Sequence, residues 1–246
     1  MSDRPRVIGH RGASEDRPGN TMAAFEEALR QGAEGIEFDV QLSSDGVPVI
    51  YHDCKLGKAG AGGRRVPELD LDELLALDVK GERIPLLECV LDRYAERMQL
   101  FVELKACEPA SERERELVLA RKVAETIRRA GVIDRCVVLC FDAGMLAASA
   151  EKVPELKVAL NLKPPRALTD ELREQLEWLY TLSCDVRHLG EEFGADLRDA
   201  GRPLFVYTCN TPGKVDRARA AGAAAIMTDR PAWLIEYLAH GDAGGS

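Results

Sequence analysis

Nowhere in the sequence does an uncharged apolar run approach the roughly eighteen residues that a membrane-spanning helix needs, so no transmembrane segment is expected. The opening, Met1 to His10, has no apolar core of the kind that marks a signal peptide. Positive charge is not in excess. Thirty-three Lys and Arg face 42 Asp and Glu, a net charge of −9, which excludes broad electrostatic binding to nucleic acid or to an anionic lipid surface. It leaves room for a small anionic substrate in a local basic pocket. No Cys-x-x-Cys is present among the seven cysteines, and Cys136 and Cys140 have no matching pair, which argues against a zinc site and a cysteine nucleophile. Reduced, mostly buried thiols in a cytoplasmic protein are the expectation. No dinucleotide fingerprint occurs. The glycines between Lys55 and Arg65 do not fall between a strand and a helix in phosphate-loop spacing, so this stretch reads as a mobile rim.

What is there is repetition. Strand-like runs at Val7–His10, Gly35–Val40, Leu100–Lys105, Cys136–Phe141, Lys157–Leu162, Leu182–Val186, Leu204–Cys209 and Ala224–Thr228 alternate with helical segments. The helices are expected at Thr21–Gln31, Leu71–Leu77, Leu86–Met98, Glu112–Ala130, Gly144–Lys152, Thr169–Tyr180, Gly190–Ala200 and Pro212–Ala221. In the first of them Asn20 or Thr21 can cap, Met22, Phe25, Ala28 and Leu29 form the apolar stripe, and Gly32 ends the helix. Eight strand–helix units in 246 residues predict an α/β fold, a closed (β/α)₈ or TIM barrel, occupying residues 1–240 as one domain with a disordered tail over 241–246.

Residues 35–53 add a hairpin arm after strand two. Two β-forming runs flank Ser43-Ser44-Asp45-Gly46, too close together for a parallel crossover. With four turn residues, Leu42 would face Val47, Val40 would face Val49 and Glu37 would face His52, Cβ atoms about 4.5–5.5 Å apart. Alternation along a strand puts Glu37 and Asp39 on one face, and Glu103 and Lys105 likewise on theirs.

Barrel enzymes work at the C-terminal ends of their strands. Collecting the polar residues there brings together His10 and Arg11, Glu37 and Asp39, His52 from the arm, Glu103 and Lys105, Thr208 and Asn210, and Asp229. Carboxylates without thiolates suit one hard divalent cation, Mg²⁺ or Ca²⁺. Arg and Lys suit a phosphate, and two histidines suit acid–base work near neutral pH. The plainer reading of the acids is an ion network with Arg11 and Lys105. His188 and His240 stand outside these groups.

The motifs His10-Arg11-Gly12-Ala13-Ser14, Pro18-x-Asn20-Thr21, Glu37-x-Asp39, Asp45-Gly46, His52-Asp53, Glu103-x-Lys105, Tyr207-Thr208-x-Asn210 and Thr228-Asp229-Arg230-Pro231 resemble those of glycerophosphodiester phosphodiesterases, in the same order across nearly the whole chain. The resemblance implies a TIM barrel related to phosphatidylinositol-specific phospholipase C. It implies a metal held by Glu37, Asp39 and Glu103, catalysis by His10 and His52, and phosphate or substrate contacts from Arg11, Lys105, Asn20 and Tyr207. Asp53 is expected to brace a loop or orient His52. The implied activity is metal-dependent hydrolysis of a small glycerophosphodiester, such as glycerophosphocholine or glycerophosphoethanolamine, to an alcohol and glycerol phosphate. A lysophospholipase D-like activity and a diester-binding protein without turnover are the rivals. Three departures from the family's pattern stand out, and the first two bear on substrate choice more than on chemistry. Gly19 stands where the family usually has Glu, an Arg-Thr-Thr triplet is missing after His52-Asp53, and Tyr207 replaces a common Trp.

Overall fold

The computed structural model describes residues 4–107 and 113–241. The strands are β1 (Arg6–His10), β2 (Gly35–Leu42), β3 (Pro48–Ile50), β4 (Gln99–Leu104), β5 (Cys136–Cys140), β6 (Lys157–Leu162), β7 (Thr181–Asp185), β8 (Leu204–Tyr207) and β9 (Ala223–Thr228). All but β3 are parallel, and β1 pairs with both β2 and β9, which closes the sheet into an eight-stranded TIM barrel. The antiparallel β3 hangs on β2 as the arm.

The helices are α1 (Met22–Arg30), α2 (Leu71–Leu75), α3 (Leu87–Tyr94), α4 (Arg113–Arg129), α5 (Ala143–Lys152), α6 (Asp170–Gln175), α7 (Glu191–Asp199), α8 (Pro212–Ala220) and α9 (Pro231–Gly241). Thr21 caps α1, its side chain accepting from the Ala24 N–H. Helices α3 and α6 are shorter than expected. No helix is expected after the last strand, and α9 corrects that expectation. Pro231 opens it, Leu234 and Leu238 bury one face at helical spacing, and it runs through Gly241, expected in the tail. Glu112 and residues 242–246 lie outside the described residues. Among the described residues no helix is long and apolar enough to cross a membrane.

Burial follows from the topology. Strand β2 is buried along its whole length because a parallel barrel strand is covered on both faces. Ile8, Phe101, Val137, Leu139, Ala159, Phe205, Ala225 and Met227 form a cluster separate from the larger one shared with the helices. Side chains of this kind fill a barrel's interior, and Phe101 meets Phe205 edge to face at 5.2 Å.

The loop expected to be a mobile rim is folded. Leu56, Ala59 and Val66 pack with Val49, Leu69, Leu74 and Ile84 into a small core of their own beneath the arm. Two cysteines expected as thiols are joined, Cys54 to Cys107 across 53 residues of sequence, with Cα atoms 5.4 Å apart. Strands β2 and β4 are neighbours, so the chain leaving the arm and the chain leaving β4 emerge side by side. Spacing alone does not show that proximity. The other five cysteines remain free thiols, four of them buried as expected and Cys89 exposed.

The arm's register is one residue away from expectation. Val40 pairs with Ile50, Gln41 with Val49 and Leu42 with Pro48. Three residues rather than four make the loop. The Gly46 N–H donates to the Ser43 carbonyl and the Ser43 N–H to the Val47 carbonyl, each at 3.0 Å. Gly46 sits at φ 82°, the left-handed position that closes a three-residue hairpin loop. Regular pairing ends at Ile50, so the ladder does not dictate the direction of His52. Gly46→Ala should destabilise the protein by about 1–2 kcal/mol, the usual cost of a left-handed L-residue. Urea denaturation of the two proteins measures it, and an unchanged midpoint would show that the turn tolerates another geometry.

Candidate active site

Neighbouring strands set the site. His10 is opposite Glu37 in the β1–β2 register, and Asp39 is opposite Glu103 in the β2–β4 register. Because Glu37 and Asp39 are two apart on one strand, they share a face, and β4 brings Glu103 to it. One oxygen from each of the three carboxylates lies within 4.8 Å of the others. Glu37 and Asp39 are each 1% exposed, so water does little to screen them from each other. Burial, with Asp39 and Glu103 as charged neighbours, pushes Glu37 up to about 8. Burial and Asp39 raise Glu103 as well. Burial opposes charge on Asp39, but Lys105 and Arg11 outweigh it and hold that carboxyl low.

Two cations answer the acids. The Lys105 ammonium lies 3.2 Å from Asp39 Oδ1 and 2.9 Å from Glu103 Oε1. Arg11 Nε is 3.2 Å from Asp39 Oδ2, and the Arg11 backbone N–H donates to Glu37 Oε2 at 3.0 Å. Neutral amides hold the other oxygens. Asn20 Nδ2 donates to Asp39 Oδ2 at 2.7 Å, and Asn161 Nδ2 donates to Glu103 Oε2 at 2.9 Å. Glu37 Oε1 remains buried with no hydrogen-bond partner. An orphaned carboxylate oxygen beside two further carboxylates is an oxygen-only donor set, and it fits a hard divalent cation.

Each imidazole is braced by an acid. His10 Nδ1 donates to Asp229 Oδ1 at 2.6 Å, and His10 Nε2 stands 3.9 Å from Glu37 Oε2. Burial disfavours a charged His10, but the bond to Asp229 and the charge of Glu37 outweigh it, and its pKa is raised. Asp229 is itself fixed by Ser14 Oγ at 2.8 Å and Asn210 Nδ2 at 2.5 Å, and despite its burial the bond to His10 holds it at about 2. His52 Nδ1 donates to Asp53 Oδ1 at 2.7 Å, and Asp53 also takes the Lys58 ammonium at 2.8 Å. Burial lowers the His52 pKa, beyond what Asp39 and Asp53 restore. One ring is therefore biased toward its protonated form and the other toward its neutral form. Both line one cavity of about 600 Å³, with Arg11, Gly19 and Asn20 also on its wall.

The structure brings seven of the nine expected site residues together: His10, Arg11 and His52 line the cavity, while Glu37, Asp39 and Glu103 cluster beside them with Arg11 and Lys105 ion-paired to the acids. Asn20 reaches the wall, but its amide is committed to Asp39, its oxygen also taking the Asp39 N–H at 3.2 Å, so it secures an acid rather than presenting a free contact. Tyr207 is outside the cavity lining. Its hydroxyl donates to the Leu162 carbonyl at 3.2 Å and its ring meets Phe141. His188 and His240 are exposed and apart from the site, His240 bonding the Glu236 carbonyl. The bracing roles of Asp229, Ser14 and Asn161 are not expected from the sequence, although Asp229 is among the polar residues placed at the strand ends. The signal for Asp229 was ring closure itself, since the last strand of a closed barrel must lie beside the first. For Asn161 it was one amide in the apolar run of β6.

These groups stand where barrel enzymes keep their chemistry, at the C-terminal ends of the strands, and the fold is that of a TIM barrel with a cavity at that end. Residues 10–233 match the model of the glycerophosphoryl diester phosphodiesterase family. The chain belongs to that family and is a phosphoric diester hydrolase. It is 29% identical over 247 residues to a glycerophosphodiester phosphodiesterase of Caldanaerobacter subterraneus subsp. tengcongensis, covering 96% of this chain and 98% of that one. A solved phosphodiesterase of Oleispira antarctica, in complex with the product sn-glycerol-3-phosphate, superposes with a TM-score of 0.84 at 26% identity over 96% of this chain and 97% of that one. A glycerophosphodiester phosphodiesterase of Parabacteroides distasonis gives 0.83 at 27% identity over 99% and 100%.

The His10–Asp229 pair makes a pH-dependent contribution whose sign can be worked out. His10 has a raised folded pKa, so its share of stability is present below the ordinary value of 6.5 and is lost as pH rises through the folded value. Asp229 has a lowered one, so its share is present above 3.8 and is lost as pH falls toward about 2. Asp229→Asn should therefore cost most between those limits, and its His10 should titrate at lower pH by NMR. An unshifted His10 titration would remove the brace.

Proposed function

We propose that the chain hydrolyses small glycerophosphodiesters to an alcohol and glycerol phosphate with the help of one divalent cation, Mg²⁺ or Ca²⁺, its domain being the barrel of residues 1–240. The observation that carries this reading is the buried, partnerless Glu37 Oε1 among three convergent carboxylates, with the braced His10 ring 3.9 Å from the other Glu37 oxygen. Glu37, Asp39 and Glu103 would hold the cation, which would supply polarisation of a phosphoryl oxygen and neutralise charge gathering there.

The chain's own groups account for the rest. Arg11 can present its guanidinium to the phosphate while its Nε stays near Asp39, and Lys105 can bring an ammonium to the same side. The two rings divide the proton work. His52, biased to the neutral form, has its Nδ1 proton fixed on Asp53 and is suited through Nε2 to take the proton of the attacking nucleophile. His10, biased to the protonated form with Nδ1 on Asp229, is suited to give a proton to the departing alkoxide. Most residues on the cavity wall carry a polar or charged group, which supports a polar diester as substrate. The net negative charge supports a small-molecule substrate over nucleic acid.

Hydrolysis of glycerophosphodiesters followed with and without chelator tests the reading. Chelation should abolish turnover and added Mg²⁺ or Ca²⁺ should restore it. Full activity in a protein shown by elemental analysis to be metal-free would refute the cation. His10→Ala and His52→Ala should each lower kcat by about 10²–10⁴-fold, the scale of a positioned acid or base. Near-normal turnover in either variant would take that ring out of the chemistry.

A further inference from the structure

The charges around the cavity are unevenly matched. Each carboxylate on its wall already has a cation or a donor against it. Glu15 lies 2.5 Å from Arg230 Nε, Asp53 is held by His52 and Lys58, and Asp229 by His10, Ser14 and Asn210. On the positive side Arg11 faces Asp39, Lys58 faces Asp53 and Arg230 faces Glu15. Lys80 also lines the cavity, and it has no hydrogen-bond or ion-pair partner among the described residues. Among the described residues no wall carboxylate stands free to meet an incoming cation, whereas one ammonium stands free to meet an incoming anion.

The backbone fixes where that ammonium starts from. Val79 and Glu82 pair across a two-residue turn, with bonds of 2.8 and 3.2 Å in the two directions. Lys80 at φ 55° and Gly81 at φ 90° both occupy the left-handed region, as this tight hairpin turn requires. Gly81 N–H is further held by Asp78 Oδ1 at 2.9 Å. A lysine is an uncommon choice at such a position, which Asn, Asp or Gly fill more cheaply. The turn holds the Lys80 backbone at the rim, so less ordering is needed to engage a ligand.

Recognition of a quaternary or primary ammonium calls for aromatic faces or an unpaired acid. The cavity wall offers one aromatic residue, Tyr51, which is 6% exposed and packs into the small core beneath the arm. Phe141 and Tyr207 make an aromatic edge at the ends of β5 and β8, but outside this cavity.

We propose that Lys80 is a specificity-determining residue, whose ammonium receives an anionic group carried by the alcohol that the phosphodiester joins to glycerol. The inference rests on the proposed glycerophosphodiester hydrolysis and narrows its substrate class away from choline- and ethanolamine-type alcohols. Lys58 adds positive potential nearby without being free, since Asp53 holds it.

Three glycerophosphodiesters of matched size test it: the esters of glycolate, ethylene glycol and ethanolamine, which end in an anion, a neutral hydroxyl and a cation. The wild-type protein should show kcat/KM in the order glycolate, ethylene glycol, ethanolamine. Lys80→Asn keeps a residue that accepts the left-handed turn, and it should shrink the glycolate-to-ethanolamine ratio by about 3- to 10-fold, the scale of a partly exposed charge pair acting once by attraction and once by repulsion. Lys80→Arg should retain the order, and Lys80→Glu should reverse it. The wild-type ratio should also fall with added salt. If the three esters are hydrolysed and ethanolamine is preferred, or the ratio ignores the charge at position 80, the inference is overturned while the hydrolase reading stands. If none is hydrolysed with either metal ion, the hydrolase reading falls and the inference falls with it.

Discussion

The constraint on which this molecule turns is the repulsion among Glu37, Asp39 and Glu103. Three carboxyl groups with oxygens within 4.8 Å of one another, two of them almost wholly buried, cannot all carry charge without compensation. Arg11 and Lys105 supply part of it, and Asn20 and Asn161 add neutral donors. The neutralisation is incomplete. Glu37 keeps one oxygen without a partner and is the carboxyl pushed to about 8. Cost and capacity coincide at that atom, because the group that is dearest to bury is also the one best prepared to receive a cation.

Around that centre the molecule repeats one device. Each imidazole and two of the three acids are fixed by a hydrogen bond with a neighbouring side chain. Asp229 stands behind His10, Asp53 behind His52, Asn20 behind Asp39 and Asn161 behind Glu103. The braces are themselves braced, Asp229 by Ser14 and Asn210, and Asp53 by Lys58. Such layering fixes the orientation and tautomer of each ring through its Nδ1 and leaves Nε2 uncommitted to the brace.

The sequence was informative where its signal was periodic or strand-terminal. The eight strands were legible from repetition, and the convergence of Glu37, Asp39 and Glu103 from the two-residue alternation of strands that a closed barrel sets side by side. What escaped were facts decided by backbone detail or by contacts between distant segments. Whether Ser43–Gly46 closes as a three- or four-residue loop depends on the left-handed Gly46, and the register moved by one with it. His52 nevertheless reaches the cavity, because regular pairing stops before it. The Cys54–Cys107 pair and the small core around Leu56 and Val66 exist because β2 and β4 deliver the ends of two loops to one place. Asn20 and Tyr207 matched motifs, yet a motif names a residue without saying which of its neighbours will occupy its polar atoms.

The bond between His10 and Asp229 spans 219 positions of the chain. It joins the first strand to the residue just past the last, across the seam where β1 meets β9. No partial barrel possesses it, since all eight barrel strands must be made before the imidazole finds its acid. The seam is also the place where a closed sheet has to part if it opens between its first and last strands, and there the ring loses its support as the cylinder is breached. The pair is thus a gauge of closure, and the cavity inherits its integrity from the meeting of the two ends of the barrel.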